Sequence, residues 1–203
     1  MSPVRALFAS LLLACCLAGP ALAAPPELAG VRLGSNIRDL ADKLDPGMAE
    51  PELEQGYLTI QAMKPLPGYR SGYVTYGNCA QPGRVVRVKM NYADSSREFH
   101  DKILAGLKKR YGEPKQWRGN AFGNLRIWKW SLLDPHAGDV SIILQYYDGE
   151  DDSFTRGNSL RISSRSWVKE EQDCRRAKQA SDTTSKKPEA PARPLDLDYF
   201  LPR

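Results

Sequence analysis

Histidine and cysteine are scarce in this chain, with two and four among 203 residues, and the scarcity removes whole classes of chemistry. A zinc site needs clustered Cys and His ligands, yet neither a Cys-x-x-Cys pair nor a His-Glu-x-x-His helix is present. No Gly-x-Ser-x-Gly elbow accompanies either histidine. The glycine-rich stretch Gly119-Asn120-Ala121-Phe122-Gly123 lacks the lysine and following helix that a phosphate-cradling loop requires. No metal and no cofactor is therefore expected. Beyond the first two dozen residues, no apolar run approaches the roughly 20 residues that span a bilayer, which predicts no transmembrane segment.

The N-terminus is where apolar residues concentrate. Arg5 leads into an apolar run from Ala6 to Ala18, Gly19-Pro20 breaks it, and Ala21-Leu22-Ala23 offers small residues for cleavage. A charged start, apolar middle and A-x-A end predict a secretory signal over 1–23 and a mature chain in a periplasm or outside the cell. The alternative is a lipoprotein anchored at Cys15, since Leu12-Leu13-Ala14-Cys15 resembles a lipobox. Cys15 and Cys16 leave with the signal, so Cys79 and Cys174 remain in an oxidising compartment and are predicted to form a disulfide. The alternatives are two free thiols or a bridge to another chain. The formal charge of +5 is mild, and the basic clusters at 108–110 and 175–178 fall near predicted helix ends, where cations complement the helix dipole. Nucleic acid is not an expected partner of an exported protein.

Periodicity predicts a single α+β domain over 24–179 and a disordered tail over 180–203. Ser35 is expected to cap a first helix through Ile37, Leu40, Ala41 and Leu44, ended by Asp45-Pro46-Gly47. Three strands follow at 57–63, 71–79 and 84–92. In the first, Leu58, Ile60 and Ala62 alternate with polar residues; in the third, Val86, Val88, Met90 and Tyr92 alternate with Val85, Arg87, Lys89 and Asn91, one buried face against one wet. Ser95 and Glu98 have capping-box spacing before a helix to Tyr111, whose Phe99, Ile103, Leu104, Leu107 and Tyr111 form an apolar stripe. Three more strands are expected at 125–132, 140–147 and 160–165, then a helix from Trp167 to about 178 capped by Ser166. That last helix has a poor apolar stripe, and the bridge from Cys174 is expected to pin it. The order helix, three strands, helix, three strands, helix implies a mainly antiparallel sheet of about six strands with helices on one face.

The segment Leu33-Gly34-Ser35-Asn36-Ile37-Arg38-Asp39-Leu40, with Leu44 and Pro46 beyond it, resembles the helix start of small exported envelope proteins of the SmpA/OmlA (BamE-like) type. Leu107 to Pro114, ending Tyr-Gly-Glu-Pro, is similar to the helix end of such domains. The resemblance implies an assembly or scaffolding partner of outer-membrane proteins.

Two constellations remain as candidate sites. Trp128 and Trp130 share a strand face with Arg126 nearby, either as core or as an aromatic binding patch. Asp134 and His136 lie in a loop and could form an acid and base pair, whereas His100, one position after Phe99, is expected at a solvent-facing or boundary position. The acidic loop Asp148-Gly149-Glu150-Asp151-Asp152 lacks the glycine and distal glutamate of a calcium-binding loop. The expected function is that of a non-catalytic exported envelope protein binding a protein or envelope polymer, through these aromatics or through the tail segment 195–201. The alternative is a small periplasmic hydrolase using Asp134 and His136.

Overall fold

A computed structural model describes residues 26–51, 56–151 and 154–185; the expected signal at 1–23 and the segment 195–201 lie outside the described residues. The chain opens with a small hairpin, β1 (Glu27–Leu28) and β2 (Val31–Arg32), turned by Ala29 and Gly30 with φ of 51° and 73°. The main sheet contains β3 (Leu44–Pro51), β4 (Leu58–Met63), β5 (Tyr69–Gly77), β6 (Val85–Tyr92), β7 (Gln116–Gly119), β8 (Leu125–Asp134), β9 (Gly138–Tyr147) and β10 (Gly157–Ser164). Helix α1 (Arg97–Tyr111) follows β6, and α2 (Arg165–Ser185) follows β10 without a loop. The eight strands run in the order β3-β4-β5-β6-β10-β9-β8-β7, every pair antiparallel.

The fold is thus α+β with an antiparallel sheet, built as two meanders of four strands, each closed by a helix. α1 carries the chain from the centre to the far edge, from which the second meander works back until β10 pairs with β6. Lys89 and Arg161 face each other across that central pairing, which sets a local twofold beside them. The shift that carries Lys89 onto Arg161 carries Val85–Tyr92 onto Gly157–Ser164 end to end and places α1 within α2.

One face of the sheet packs the core. Val74, Val88, Met90, Ile142, Leu144, Leu160, Ile162 and Trp130 are buried there, and Phe99, Ile103, Leu104, Leu107 and Tyr111 of α1 pack on them, as the stripe predicts. Phe99 meets Tyr92 edge-on at 5.0 Å between ring centroids. Trp130 is buried, and its indole N–H donates to the Gly112 carbonyl at 2.8 Å, so the group that terminates α1 also satisfies a buried polar atom of the sheet.

The structure differs from the periodicity in several places, each with a local cause. The helix expected over 35–44 is a single 3-10 turn, Ile37–Leu40, capped by Asn36, whose side chain accepts from the Arg38 amide. Backbone bonds from Gly34 to Val85, from Val85 to Ser35 and from Ile37 to Gly83 stitch this segment to the start of β6, and a helix would forfeit them. β3 was hidden by Pro46 and Gly47, which an edge strand with a register shift between Leu44 and Ala49 tolerates. β7 is four exposed residues at the other edge. α1 is capped by Ser96, whose hydroxyl accepts from the Phe99 amide at 3.2 Å, so Glu98 forms no capping box and pairs with Lys102 instead. α2 is capped by Ser164, which accepts from the Trp167 amide, while Ser166 accepts from Asp139; the helix runs to Ser185, into the segment expected to be disordered. Among the described residues, two α-helices and eight main strands stand where the sequence predicts three helices and six strands.

Candidate functional site

The disulfide between Cys79 and Cys174 is present, with Cα atoms 5.9 Å apart, and joins the turn after β5 to the third turn of α2. It does not act alone. Glu171, one helical turn earlier, is fully buried, and its carboxylate accepts the amides of Cys79, Ala80 and Gln81 at 2.7, 3.0 and 2.8 Å. Arg84 bonds Glu170 at 2.5 Å and lies 4.8 Å from the centre of the Trp167 ring. Trp167 in turn packs where Gly34 has no side chain, at a φ of +89°. A helix with a weak apolar face is therefore held by charge-assisted bonds, one ring and one covalent link.

Asp134 and His136 do not converge on a substrate position. The Asp134 carboxylate accepts the backbone amides of His136 at 2.9 Å and Ala137 at 2.7 Å, which makes it the cap of the β8–β9 turn. The His136 side chain is exposed, and no described cleft includes it. Trp128, Trp130 and Arg126 lie on the helix-covered side. Trp130 is core; Trp128 lies beside Trp117 with the Lys108 ammonium 5.7 Å from its ring centre; Arg126 pairs with Asp101 at 3.8 Å. A ligand could reach Trp130 only by displacing α1. His100 is fully buried, against the expectation, because His100, Leu104, Leu107 and Tyr111 form a second row at helical spacing on the same broad stripe. Its Nδ1 lies 3.1 Å from Asp101 Oδ1, its ring is 5.7 Å from Tyr146, and burial pulls its pKa down, with Asp101 opposing. In the acidic loop the Tyr147 hydroxyl donates to Asp151 at 2.6 Å and Asp148 pairs with Arg156 at 3.6 Å; among the described residues no three metal-ligating side chains cluster.

The surface that stands out is the other face of the sheet, opposite α1 and bordered at one end by α2. Register brings residues of six strands into one row: Tyr73, Lys89, Arg161, Ile143, Lys129 and Gln116. Arg87 and Ser163 continue the pattern on one side, and Asn91, Ser159, Gln145, Ile127 and Arg118 on the other. A shallow cleft of about 650 Å³ runs over Lys89, Arg161, Lys129, Gln116 and Arg118, with Phe154 and Thr155 at its margin. A second, of about 480 Å³, shares Lys129, Ile143 and Arg161 and extends to Arg87, Arg165 and Lys169. Among the described residues that line these clefts, none is acidic. Lys89 donates to the Thr155 hydroxyl at 2.7 Å, and burial, reinforced by the neighbouring Arg161 charge, lowers its pKa from the ordinary lysine value. Ile60 and Tyr73 add an apolar wall on the β4–β5 side, so the alternation of β4 turns Ile60 to the open face and Met63 to the core.

Sequence reasoning saw the wet face of β6 but not this row. The signal was present as cations at alternate positions in Val-Arg-Val-Lys-Met, Leu-Arg-Ile and Trp-Lys-Trp. Lining them up requires the pairing of β6 with β10, two strands 65 residues apart between Tyr92 and Gly157, which no local pattern encodes. Compared with protein families, curated proteins and solved structures, the chain finds no match, and the reading of its site rests on its own residues.

Proposed function

We propose that this chain is exported to a bacterial envelope and acts there as a non-catalytic binding protein, holding an anionic envelope component on the open face of its sheet. The observation that carries the reading is the convergence of Arg87, Lys89, Lys129 and Arg161 on the sheet face opposite α1, with Arg118 at one end; Arg165 at the other end is paired with Asp139 at 2.6 Å. Burial and the adjacent Arg161 charge penalise the Lys89 ammonium, a cost that an anion seated over it would offset. The signal-like N-terminus, the disulfide and the resemblance to SmpA/OmlA-type proteins support the compartment. Among the described residues no helix is long and apolar enough to cross a membrane.

The full chain, expressed with its N-terminus intact, is expected to appear in the periplasmic or membrane fraction with residues 1–23 removed. Its mature form is expected to sediment with purified envelope material, and Arg118→Gln with Lys129→Gln is expected to release it. Retention of Met1 in the cytosolic fraction would refute export, and sedimentation indifferent to the two substitutions would refute the binding face.

A further inference from the structure

Resting on the reading above, we infer that the ligand is a linear acidic glycan laid across the strands, its carboxylates over Lys89, Arg161 and Lys129 and its sugar hydroxyls on the neutral polar side chains between them. The row from Tyr73 to Gln116 crosses six strands, a track of about 24 Å at the usual strand spacing. Its clefts are shallow and run into one another through shared Lys129, Ile143 and Arg161, a shape that suits an extended chain better than an enclosed small molecule.

The chemistry along the track is sparse in charge and rich in neutral hydrogen-bonding groups. Arg161 and Lys129 are two strands apart, about 10 Å, with Ile143 between them. Gln116, Gln145, Asn91, Ser159 and Ser163 surround the cations, and amides and hydroxyls both donate and accept, as sugar hydroxyls do. A single-stranded nucleic acid would call for aromatic platforms along the middle of the track. Here the middle is Ile143, and the aromatic side chains Tyr73 and Phe154 stand at the margins, where they can pack the apolar faces of sugar rings.

Isothermal titration of the mature chain with oligogalacturonate, neutral dextran and a single-stranded oligonucleotide tests the inference. Oligogalacturonate is expected to bind and dextran not to. Lys89→Gln, Lys129→Gln and Arg118→Gln are each expected to weaken binding about tenfold, the usual scale for one lost charge-assisted contact. Lys109→Gln, which removes the same charge from exposed α1, is expected to leave it unchanged. Circular dichroism and the melting temperature of each variant separate a lost contact from a lost fold. Oligonucleotide binding as tight as oligogalacturonate binding overturns the glycan, and so does binding of a peptide of residues 195–201 in its place, which would assign the face to the chain's own acidic terminus. If the face variants release the protein from envelope material while oligogalacturonate gives no heat, the glycan falls and the binding face stands; if neither responds, both fall.

Discussion

Replacing Gly77 by alanine sets a methyl group against a fully buried carboxylate, that of Glu171. The new Cβ would overlap the Glu171 carboxyl group and come 2.8 Å from its Cγ. Ordinarily a glutamate would swing aside, but this one is fully buried and held by three backbone amides. Moving it breaks the cap. Each charge-assisted bond is worth about 1.5–3 kcal/mol when buried. The turn at 79–81 is partly exposed, so water recovers part of that and the three together come to about 3 kcal/mol. Gly77→Ala and Glu171→Ala are each expected to cost about 3 kcal/mol, but the double variant only about 3–4, since the clash disappears with the side chain it strikes. Urea unfolding with the slope held constant reads all three, and the melting temperature should drop by roughly 6–12 °C for each single variant. Strict additivity, or a Gly77→Ala cost under about 1 kcal/mol, would show that the carboxylate is not pinned and would refute the reasoning.

The disulfide should contribute about 4–5 kcal/mol by the chain-entropy estimate, since it closes a separation of 95 residues. Alkylation of the native protein is expected to leave Cys79 and Cys174 unmodified until reduction, and the reduced protein to unfold at lower urea with its helical content retained, because Trp167, Glu170 and Glu171 still hold α2. Loss of the helical signal on reduction alone would contradict that division of labour. For pH, the sign follows from His100: its pKa is lowered by burial, with Arg126 and Arg97 adding and Asp101 opposing, so between the folded value and the ordinary one near 6.5 the unfolded chain binds more protons. Stability is therefore fully present above that range and lost as pH falls through it. The melting temperature is expected to decline from pH 7 to 5 in the native chain and to stay level in His100→Leu; the same decline in both would assign it elsewhere.

The strands that alternate cleanly and the one helix with a wide stripe were legible because burial on one face imposes period two or period 3.6 on consecutive residues. Phe99, Ile103 and Leu107 announce α1, and Val88 and Met90 announce β6, whatever the rest of the chain does. The failures lie where distant backbone overrides local preference. Gly34 to Ile37 has a helix-start sequence but spends its amides and carbonyls on Gly83 and Val85. Asp45-Pro46-Gly47 reads as a stop, yet an edge strand absorbs it through a bulge. His100 is missed because it is the one polar member of the row it shares with Leu104, Leu107 and Tyr111, so residue type hides a position that helical spacing buries. The disulfide was legible from the expected compartment and the cysteine count, while Glu171, which shares its task, carried no signal: one acidic residue among several on a polar helix. The open face was half legible, since each strand shows its own cation, but their alignment is a property of strand order alone.

The central seam of the sheet is closed by the last strand made. β6 presents an unpaired edge until β10, beyond residue 156, is available, and the turn at 79–81 keeps three bare amides until Glu171 reaches it. Long-range pairing of this kind is slow to form. A chain so ordered cannot close its sheet from its first half alone: the seam and the capped turn are completed together, once the segment from Gly157 to Cys174 is in place.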